Sequence, residues 1–272
     1  MKVNIKNLMM DLNLPRIEIL VLLEKVLQKP RTWIIANDLN IISDIAFRKY
    51  NDLRKRRLKG EPIAYLVGYK EFMSNKFLVN NSVLIPRPET ELLVDVSINS
   101  LSTLHKPRVL DLGIGCGAIA ISICLMRTDA EVVGSDIDKG ALLVAEINSK
   151  KLGANVTLIN SNWFDNFDIH IGKFDLIVSN PPYISSLDKH LELGDLRFEP
   201  RIALTDESDG LSHITNIVYN SRNYMNKGAF LWMEHGWDQA AKVKNILKIA
   251  GFRNITSFLD LSGIPRITGG NI

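Results

Sequence analysis

The feature that most restricts the possible folds is a regular alternation of two kinds of segment, which begins near residue 88. Short apolar runs with the character of buried strands, such as RVLDLG and FDLIVSN, alternate with helical stretches such as AIAISICLM and WDQAAKVKNILKIAG. Strands separated by helices of this length are typical of parallel sheets with crossover helices. We therefore predict an α/β fold with a doubly wound, mainly parallel sheet of seven strands.

The start of the chain follows a different pattern, and we predict that residues 1–75 form a helical domain. The segment IEILVLLEKVL carries apolar residues on more than one face, which favours burial in a small helical bundle. A second helical segment covers residues 44–59 and ends at the stop signal GEP. It contains the basic run RKRR at residues 54–57, which we interpret as a solvated helix face rather than a binding patch.

Between the helical domain and the sheet we expect a short hairpin. The stretch FMSNKFLVNNSVLIP, residues 72–86, has strand character on both sides of Asn80-Asn81, a dipeptide suited to a turn. We accordingly assign residues 76–88 to a hairpin linker and residues 89–272 to the α/β domain.

Composition limits the class of protein further. With 46% hydrophobic residues among 272, the chain has enough apolar side chains for a sizeable core. No apolar run approaches the ~20 residues of a membrane span, and Cys116 and Cys124 show no metal-ligand spacing. We expect a cytoplasmic protein without signal peptide, metal site or membrane association. The net charge of +3 neither requires nor excludes an acidic partner.

A glycine-rich turn follows the first strand of the sheet. In VLDLGIGCGAIA, Gly113, Gly115 and Gly117 remove side chains where the backbone must approach a ligand closely. Asp136 closes the next strand, EVVGSD, where a carboxylate can accept both hydroxyls of a ribose. The glycines also satisfy the dinucleotide pattern G-x-G-x-x-G/A, but Asp111 before them would repel a pyrophosphate. We therefore predict a site for an adenosine-containing cofactor at this edge of the sheet.

The fourth strand of the sheet, FDLIVS, runs directly into Asn180-Pro181-Pro182-Tyr183. The two prolines cannot donate to a strand ladder, so they end the strand and fix the backbone there. An amide, a rigid backbone and an aromatic face together suit the binding of a flat polar group. Asn-Pro is also a common turn dipeptide, and on that interpretation the tetrapeptide needs no ligand. The glycine turn and Asp136 nearby in the fold favour a binding site.

These motifs together resemble the class I S-adenosylmethionine-dependent methyltransferases, in which NPPY accompanies methylation of a planar nitrogen. The stretches LIPRPETE, RFEPRIALTDESDGL and EHGWDQ with GIPRITGG narrow the resemblance to the release factor glutamine methyltransferases. The similarity extends over essentially the whole chain. It implies a Rossmann-like methyltransferase fold, S-adenosylmethionine as cofactor, and methylation of the glutamine in the Gly-Gly-Gln motif of peptide chain release factors, which supports translation termination.

The resemblance also implies roles for individual residues. The cofactor would be held by the glycine loop, the ribose-binding acid, an aromatic beside the adenine and the first residue of NPPY: Gly113, Ile114, Gly115, Cys116, Gly117, Asp136, Trp163 and Asn180. The substrate amide would be bound by the whole motif: Asn180, Pro181, Pro182 and Tyr183. Three of these would be catalytic: Asn180, Pro181 and Tyr183.

Several positions have a second interpretation. Trp163 is equally well explained as a core aromatic. Asn162 stands where the family more often has an aspartate that accepts from the adenine amino group, although an asparagine carbonyl also accepts. Glu234 and His235, which end the fifth strand, we interpret as a structural strand end rather than an acid–base pair.

The expected partner is a release factor, bound by a monomeric enzyme that does not bind nucleic acid directly. The NPPY motif would suit two other substrates with a planar nitrogen: an exocyclic amine of a nucleic-acid base and a ribosomal-protein glutamine. The lack of a visible target-recognition domain and the low charge argue against the nucleic-acid enzyme. A non-catalytic scaffold that has kept the fold is the third alternative, and the intact motifs argue against it.

Overall fold

The computed structural model describes residues 3–272, whose contacts divide the chain into two compact units, Met1–Tyr69 and Lys70–Ile272. Within the described part of the first unit, the chain forms a bundle of five helices: α1 (Ile5–Met9), α2 (Arg16–Leu27), α3 (Arg31–Ala36), α4 (Asp44–Leu58) and α5 (Ile63–Val67). Leu22 and Leu23 of α2 are fully buried in the same cluster as Tyr50 of α4. The helices predicted over residues 17–27 and 44–59 are confirmed.

The basic run of α4 takes part in ion pairs inside this unit. Arg54 bonds to Asp11 through its guanidinium group. Arg57 donates from Nε to Glu18 Oε2 over 2.7 Å. Arg54 and Arg57 are thus partly buried ion-pair partners, whereas Lys55 and Arg56 are exposed, so the predicted solvated face describes only part of the run.

The hairpin is present, but its predicted position is wrong. Its strands are β1 (Tyr69–Phe72) and β2 (Asn75–Leu78), so the turn lies at Met73-Ser74 rather than at Asn80-Asn81. Met73 and Ser74 adopt φ of +46° and +60°, the left-handed values that a two-residue hairpin loop requires, although neither is glycine or asparagine. The asparagine signal belongs instead to a separate turn, in which Val83 N–H donates to Asn80 O over 3.2 Å.

The described part of the second unit contains a seven-stranded sheet in the order β5-β4-β3-β6-β7-β9-β8. Its strands are β3 (Arg108–Leu112), β4 (Glu131–Asp136), β5 (Val156–Asn160), β6 (Phe174–Ser179), β7 (Met225–Glu234), β8 (Arg253–Leu259) and β9 (Pro265–Asn271). Strands β3 to β7 pair in parallel, and β9 runs antiparallel to both of its neighbours. The predicted doubly wound, mainly parallel seven-stranded sheet is confirmed.

The helices of this unit are α6 (Glu91–Ser100), α7 (Ala118–Met126), α8 (Lys139–Leu152), α9 (Ser212–Ser221) and α10 (Ala240–Ile249). Helix α9 was not predicted from the sequence, and it connects β6 to β7. Its apolar side chains Ile214, Ile217 and Val218 follow helical spacing and are fully buried. Among the described residues, no helix is both long and apolar enough to cross a membrane.

The centre of the sheet supplies the core beneath the site. Leu110, Ile177 and Leu231 lie side by side on β3, β6 and β7, and all three are fully buried. A parallel sheet covered on both faces needs such continuous apolar strands. The polar residues that follow these strands therefore come together at one edge of the sheet, where the site is found.

Candidate active site

The carboxyl ends of β3, β4 and β6 open into one cleft. This is the switch point of the strand order, the usual ligand position in open α/β sheets. Eight of the residues predicted to bind cofactor or substrate line it: Gly113, Ile114, Gly115, Cys116, Asp136, Trp163, Asn180 and Pro182. Gly117, also predicted to bind the cofactor, is not among the lining residues.

Gly115 and Gly117 of the glycine loop have different surroundings. An added Cβ at Gly115 would meet no atom within 4 Å, so this position leaves the cleft open for a ligand. Gly117 has a φ of +86° and precedes α7, and a Cβ there would lie 2.6 Å from Ile121 Cδ1. The left-handed φ of Gly117 at the start of α7 is the conformation that favours glycine at this position.

Asp136 is tied to the glycine loop by its own carboxylate. Its Oδ2 accepts from Gly115 N–H and its Oδ1 from Asp138 N–H, each over 2.9 Å. Burial raises the pKa of this carboxyl, and the two backbone donors oppose that effect. Each carboxylate oxygen retains a further lone pair that can accept from a ligand hydroxyl at the cleft.

Trp163 forms an aromatic wall of the cleft and also packs against the core. The ring lies 5.1 Å from that of His213, centroid to centroid, at an angle of 54°. Burial lowers the pKa of the His213 imidazole, which favours the neutral form. Beside Trp163, Asn162 Nδ2 donates to Asp165 Oδ2 over 2.8 Å, which leaves Asn162 Oδ1 as an unused acceptor at the cleft.

A second, smaller pocket adjoins the first, and Asn180 lines both. Pro181 and Tyr183 line the second pocket, whereas Pro182 lines the first. The remaining walls of the second pocket are mainly apolar: Leu84, Arg87, Ile184, Leu196, Ala203 and Leu204. The NPPY motif therefore stands between two spaces, one beside the glycine loop and one on its far side.

A chain of hydrogen bonds supports the motif, and its central member, Thr90, also lines the cleft. Asn180 Nδ2 donates to Thr90 Oγ1 over 3.3 Å, and Thr90 Oγ1 donates to Glu234 Oε2 over 2.6 Å. Tyr183 donates its hydroxyl proton to the other oxygen, Glu234 Oε1, over 3.1 Å. Burial raises the pKa of the Glu234 carboxyl, and the Thr90 and Tyr183 donors act in the opposite direction.

The stretches LIPRPETE and RFEPRIAL fold against each other beside the second pocket. The buried carboxylate of Glu199 pairs with the Arg87 guanidinium and accepts from Ile85 N–H over 2.9 Å. A buried carboxylate needs partners for its oxygens, and here each oxygen of Glu199 has one. Glu199 thus holds two segments of the pocket wall, far apart in sequence, in one arrangement.

Comparison with known proteins agrees with this geometry. The model of the "Methyltransferase small domain" family matches residues 89–199, and that of the "PrmC N-terminal domain" matches residues 7–68. The release factor glutamine methyltransferase of Bordetella pertussis is 46% identical over 98% of this chain and 98% of its own. The protein of the same name from Neisseria gonorrhoeae is 44% identical, over 94% of this chain and 93% of its own. The chain belongs to the release factor glutamine methyltransferase family.

Among solved structures, the T. thermophilus 16S rRNA N2 G1207 methyltransferase in complex with AdoMet and guanosine superposes with a TM-score of 0.54. The match covers 75% of this chain and 50% of that one at 18% sequence identity, so the likeness concerns the fold. The structural relationship confirms the Rossmann-like methyltransferase architecture of the second unit.

S-adenosylmethionine is the cofactor of this methyltransferase, and the cleft has hydrogen-bond acceptors and an aromatic surface suited to it. Asp136 presents carboxylate lone pairs suited to ribose hydroxyls, and the Trp163 ring presents a flat apolar surface suited to adenine. Asn162 Oδ1 is an acceptor suited to the adenine amino group, because Asp165 occupies the amide nitrogen. The open space beside Gly115 allows the cofactor to approach the loop backbone.

Two polar side chains near the glycine loop are buried: Asp111 on β3, and Cys116 in the loop itself, which also lines the cleft. Asp111 is 1% exposed, its Oδ2 accepts from Ala120 N–H over 3.1 Å, and its Oδ1 has no hydrogen-bond partner among the described residues. Burial raises the pKa of the Cys116 thiol to about 12. A thiol that stays protonated is a poor nucleophile, which agrees with a packing role for Cys116.

We expect Asp111→Asn to be more stable than the wild type near pH 8 but not near pH 4. Burial raises the pKa of Asp111 to about 7, whereas an unfolded aspartate titrates near ~3.9. The folded wild type therefore holds a proton that the unfolded chain has lost, and it loses stability as the pH rises through this interval. Asparagine stays neutral and keeps an oxygen for Ala120 N–H, so the gain should be on the order of 2–4 kcal/mol.

Urea denaturation of both proteins at the two pH values measures this difference directly. Asp168→Asn, a change at an exposed carboxylate that accepts from His170 N–H, provides the control. A stability difference between Asp111→Asn and the wild type that is the same at both pH values would contradict the prediction.

Sequence reasoning missed three of the residues that surround the site. Thr90 lies within PRPETE, a stretch that carries no local signal of its contact with Asn180. Glu234 was interpreted as a structural strand end, although its position at the carboxyl end of a parallel strand is a signal for the site edge. His213 lies on the unpredicted helix α9, and its place beside Trp163 has no local signal.

Proposed function

We propose that this protein transfers the methyl group of S-adenosylmethionine to the side-chain amide nitrogen of the glutamine in the Gly-Gly-Gln motif of peptide chain release factors. The observation that carries the proposal is the position of Asn180, which lines both the cofactor cleft and the adjoining pocket. Of the three described residues that line both spaces, Leu84, Asn180 and Ala203, Asn180 is the one whose side chain can hydrogen-bond to an amide at the junction. The membership of the family and its near full-length relatives support the same substrate.

The chemistry requires alignment more than base catalysis. An amide nitrogen is a weak nucleophile because its lone pair is delocalised into the carbonyl group. When bound, S-adenosylmethionine supplies an already electrophilic sulfonium methyl group. The residues of the site must therefore hold the amide so that its nitrogen faces the cofactor cleft, and alignment of this kind is worth up to ~7–11 kcal/mol in the best-oriented cases.

The NPPY motif offers two acceptors for the two amide protons. Asn180 commits its Nδ2 to Thr90, so its Oδ1 is available to the substrate. The Pro181 carbonyl is the second acceptor, and the ring of Pro182 restricts the backbone that carries it. Tyr183 lines the same pocket and provides a flat surface against the amide plane.

The walls of the second pocket suit a glutamine carried on a glycine-rich loop. They are mainly apolar, and the guanidinium of Arg87 is already paired with Glu199. A pocket of this kind accepts a neutral amide with an aliphatic stem more readily than a charged side chain. Glycines beside the glutamine would allow its backbone to approach the pocket mouth closely.

The test is incubation of the protein with S-adenosylmethionine labelled in its methyl group and a purified, unmethylated release factor. Mass spectrometry should locate the label on the glutamine of Gly-Gly-Gln. Parallel reactions should contain ribosomal protein, RNA or DNA in place of the release factor, and a Gly-Gly-Asn release factor serves as the matched control. Label in nucleic acid or ribosomal protein, with none in the release factor, would overturn the proposal.

We further infer that the N-terminal helical unit docks the release factor, and that a monomer acts in the cytoplasm, where release factors work. The cofactor-binding residues and NPPY all belong to the second unit, so the first unit has no assigned part in the chemistry. Its surface carries large exposed apolar side chains: Leu12, Leu39, Ile41 and Ile45. Such side chains are suited to a protein partner.

Removing residues 1–68 is expected to raise the KM for the whole release factor by about tenfold or more, while cofactor affinity remains within about threefold of the wild type. The reason is that this change removes the docking surface and keeps the β1–β2 hairpin and the cleft. Calorimetry with S-adenosylmethionine checks that the shortened protein is folded. A short Gly-Gly-Gln peptide should be methylated equally by both forms, and an unchanged KM for the intact factor would contradict docking.

A further inference from the structure

We propose that Glu234 and Thr90 are positioning residues for the methyl-transfer step, because together they fix the direction of the Asn180 amide and the place of the Tyr183 ring. The inference rests on the proposed function, since it concerns the groups that would hold the substrate glutamine. Thr90 is 3% exposed and Glu234 is 2% exposed. Neither was given a role in the reaction by the motifs of the sequence.

The direction of each hydrogen bond follows from the carboxylate. Thr90 Oγ1 donates to Glu234 Oε2 over 2.6 Å, and a hydroxyl has only this one proton to donate. The Thr90 oxygen is then left with lone pairs only, and the side of Asn180 that faces it must be the amide nitrogen. The Asn180 oxygen is thereby directed away from Thr90.

This direction matters because only the oxygen of Asn180 can accept a proton from the substrate amide. With the amide flipped, an oxygen would face the lone pairs of Thr90, and a nitrogen would face the protons of the substrate. Asn180 then becomes a donor opposite another donor. The chain from Glu234 to Asn180 therefore selects the one amide orientation that binds and aligns the substrate.

The second oxygen of Glu234 fixes the position of Tyr183, on the other side of the NPPY motif. It accepts from the Tyr183 hydroxyl over 3.1 Å, which fixes the plane of a ring that lines the substrate pocket. One buried carboxylate is thus bonded to both walls of the NPPY site. Arg266 and Glu89 exert opposite electrostatic effects on this carboxyl, and burial raises its pKa.

The decisive variant is Thr90→Val, which keeps the shape of the side chain and removes the hydroxyl. Asn180 then loses the group that distinguishes its nitrogen from its oxygen. We expect kcat for methylation of a purified release factor to fall about tenfold, the factor that one net hydrogen bond maintains. Affinity for S-adenosylmethionine should stay within about threefold, because the bond concerns orientation of the amide and not the adenosine part of the cleft.

Two further variants distinguish an effect on the alignment of Asn180 from a general loss of stability. Thr90→Ser retains the hydroxyl and should restore most of the activity. Ser97→Ala removes another fully buried hydroxyl close by, on α6, where Ser97 Oγ donates only to Leu93 O over 2.6 Å. It should lower stability by about as much as Thr90→Val and leave kcat unchanged.

Glu234→Gln provides an independent route if Thr90→Val fails to fold. The glutamine has the same size, but its amide nitrogen donates to one of the two hydroxyls and disturbs the direction of the chain. A fall in kcat with unchanged cofactor affinity is again the expected result. Equal kcat for the wild type, Thr90→Val and Glu234→Gln would overturn the inference, whereas a wild type that never methylates a release factor would overturn the proposed function instead.

Discussion

Replacing Asn180 with alanine is expected to lower the single-turnover rate of release factor methylation by about 10²–10³-fold, the usual consequence of removing one preorganised hydrogen-bonding group at a reacting centre. The variant loses the side-chain oxygen that accepts from the substrate amide, and the Thr90 oxygen loses its donor. Asn180 is half-buried at the exit of β6, so its removal should affect the core little. Affinity for S-adenosylmethionine should change by less than about fivefold, since one hydrogen bond at most is involved.

Asn180→Asp gives a graded comparison. A carboxylate still accepts a proton from the substrate, so some activity should remain. It has no nitrogen to donate to Thr90, however, and it adds a negative charge near the buried Glu234 carboxyl. We therefore expect a rate between those of the wild type and Asn180→Ala.

Rapid-quench kinetics with labelled cofactor, together with calorimetric cofactor titrations, measure both quantities. Near-normal turnover by Asn180→Ala would contradict a substrate-binding role for this residue. The NPPY motif would then be a simple strand-ending turn.

Asp136→Ala should weaken S-adenosylmethionine binding by about 10²-fold, because a charged acceptor of ribose hydroxyls is removed and each such hydrogen bond is worth ~1.5–3 kcal/mol at most. The loss extends to the loop itself. Asp136 accepts from Gly115 N–H and Asp138 N–H, so the alanine variant also frees the backbone that shapes the cleft. The effect on the rate at saturating cofactor should be much smaller than the effect on affinity.

Asp136→Asn separates the two contributions. Its single oxygen can keep one of the backbone bonds, so we expect an intermediate loss of affinity of about tenfold. Asp168→Ala removes a carboxylate that accepts a backbone N–H outside the cleft and serves as the control. Calorimetry that gives the wild-type affinity for a folded Asp136→Ala protein would remove Asp136 from the cofactor site.

Much of the fold could be predicted because strand and helix periodicity are local properties of the chain. The strand EVVGSD and the helix AIAISICLM have in the structure the same ends as in the sequence pattern. The strand has a buried centre, Val132 to Ser135, between a charged residue at each end, as a sheet covered on both faces requires, and the helix is almost entirely apolar. The alternation of such runs then leaves few topologies open.

Two features of the fold differ from the prediction: the position of the hairpin turn and the presence of helix α9. The hairpin turn at Met73-Ser74 consists of residues that rarely take positive φ, so its position depends on pairing between β1 and β2 rather than on turn chemistry. Helix α9, SHITNIVYNS, follows a long segment of short turns. Its apolar residues alternate with Ser, Asn and Thr, which are also common in loops, so the helical pattern is weak to the eye. At the hairpin, strand pairing outweighs local turn preference, whereas the helical spacing of the buried side chains in α9 is itself a local signal.

The sequence by itself determined the chemistry available at the sheet edge: the glycine loop, Asp136 and NPPY stand directly at strand exits, where a local pattern reports them. Only the tertiary structure decided which other groups meet them. Thr90 and Glu234 are 144 residues apart, yet they share a hydrogen bond of 2.6 Å. Strand β7 carries Glu234 to the carboxyl edge of the sheet, and Thr90 comes from the 3-10 turn before α6, so the support for Asn180 exists only once these distant segments have packed together.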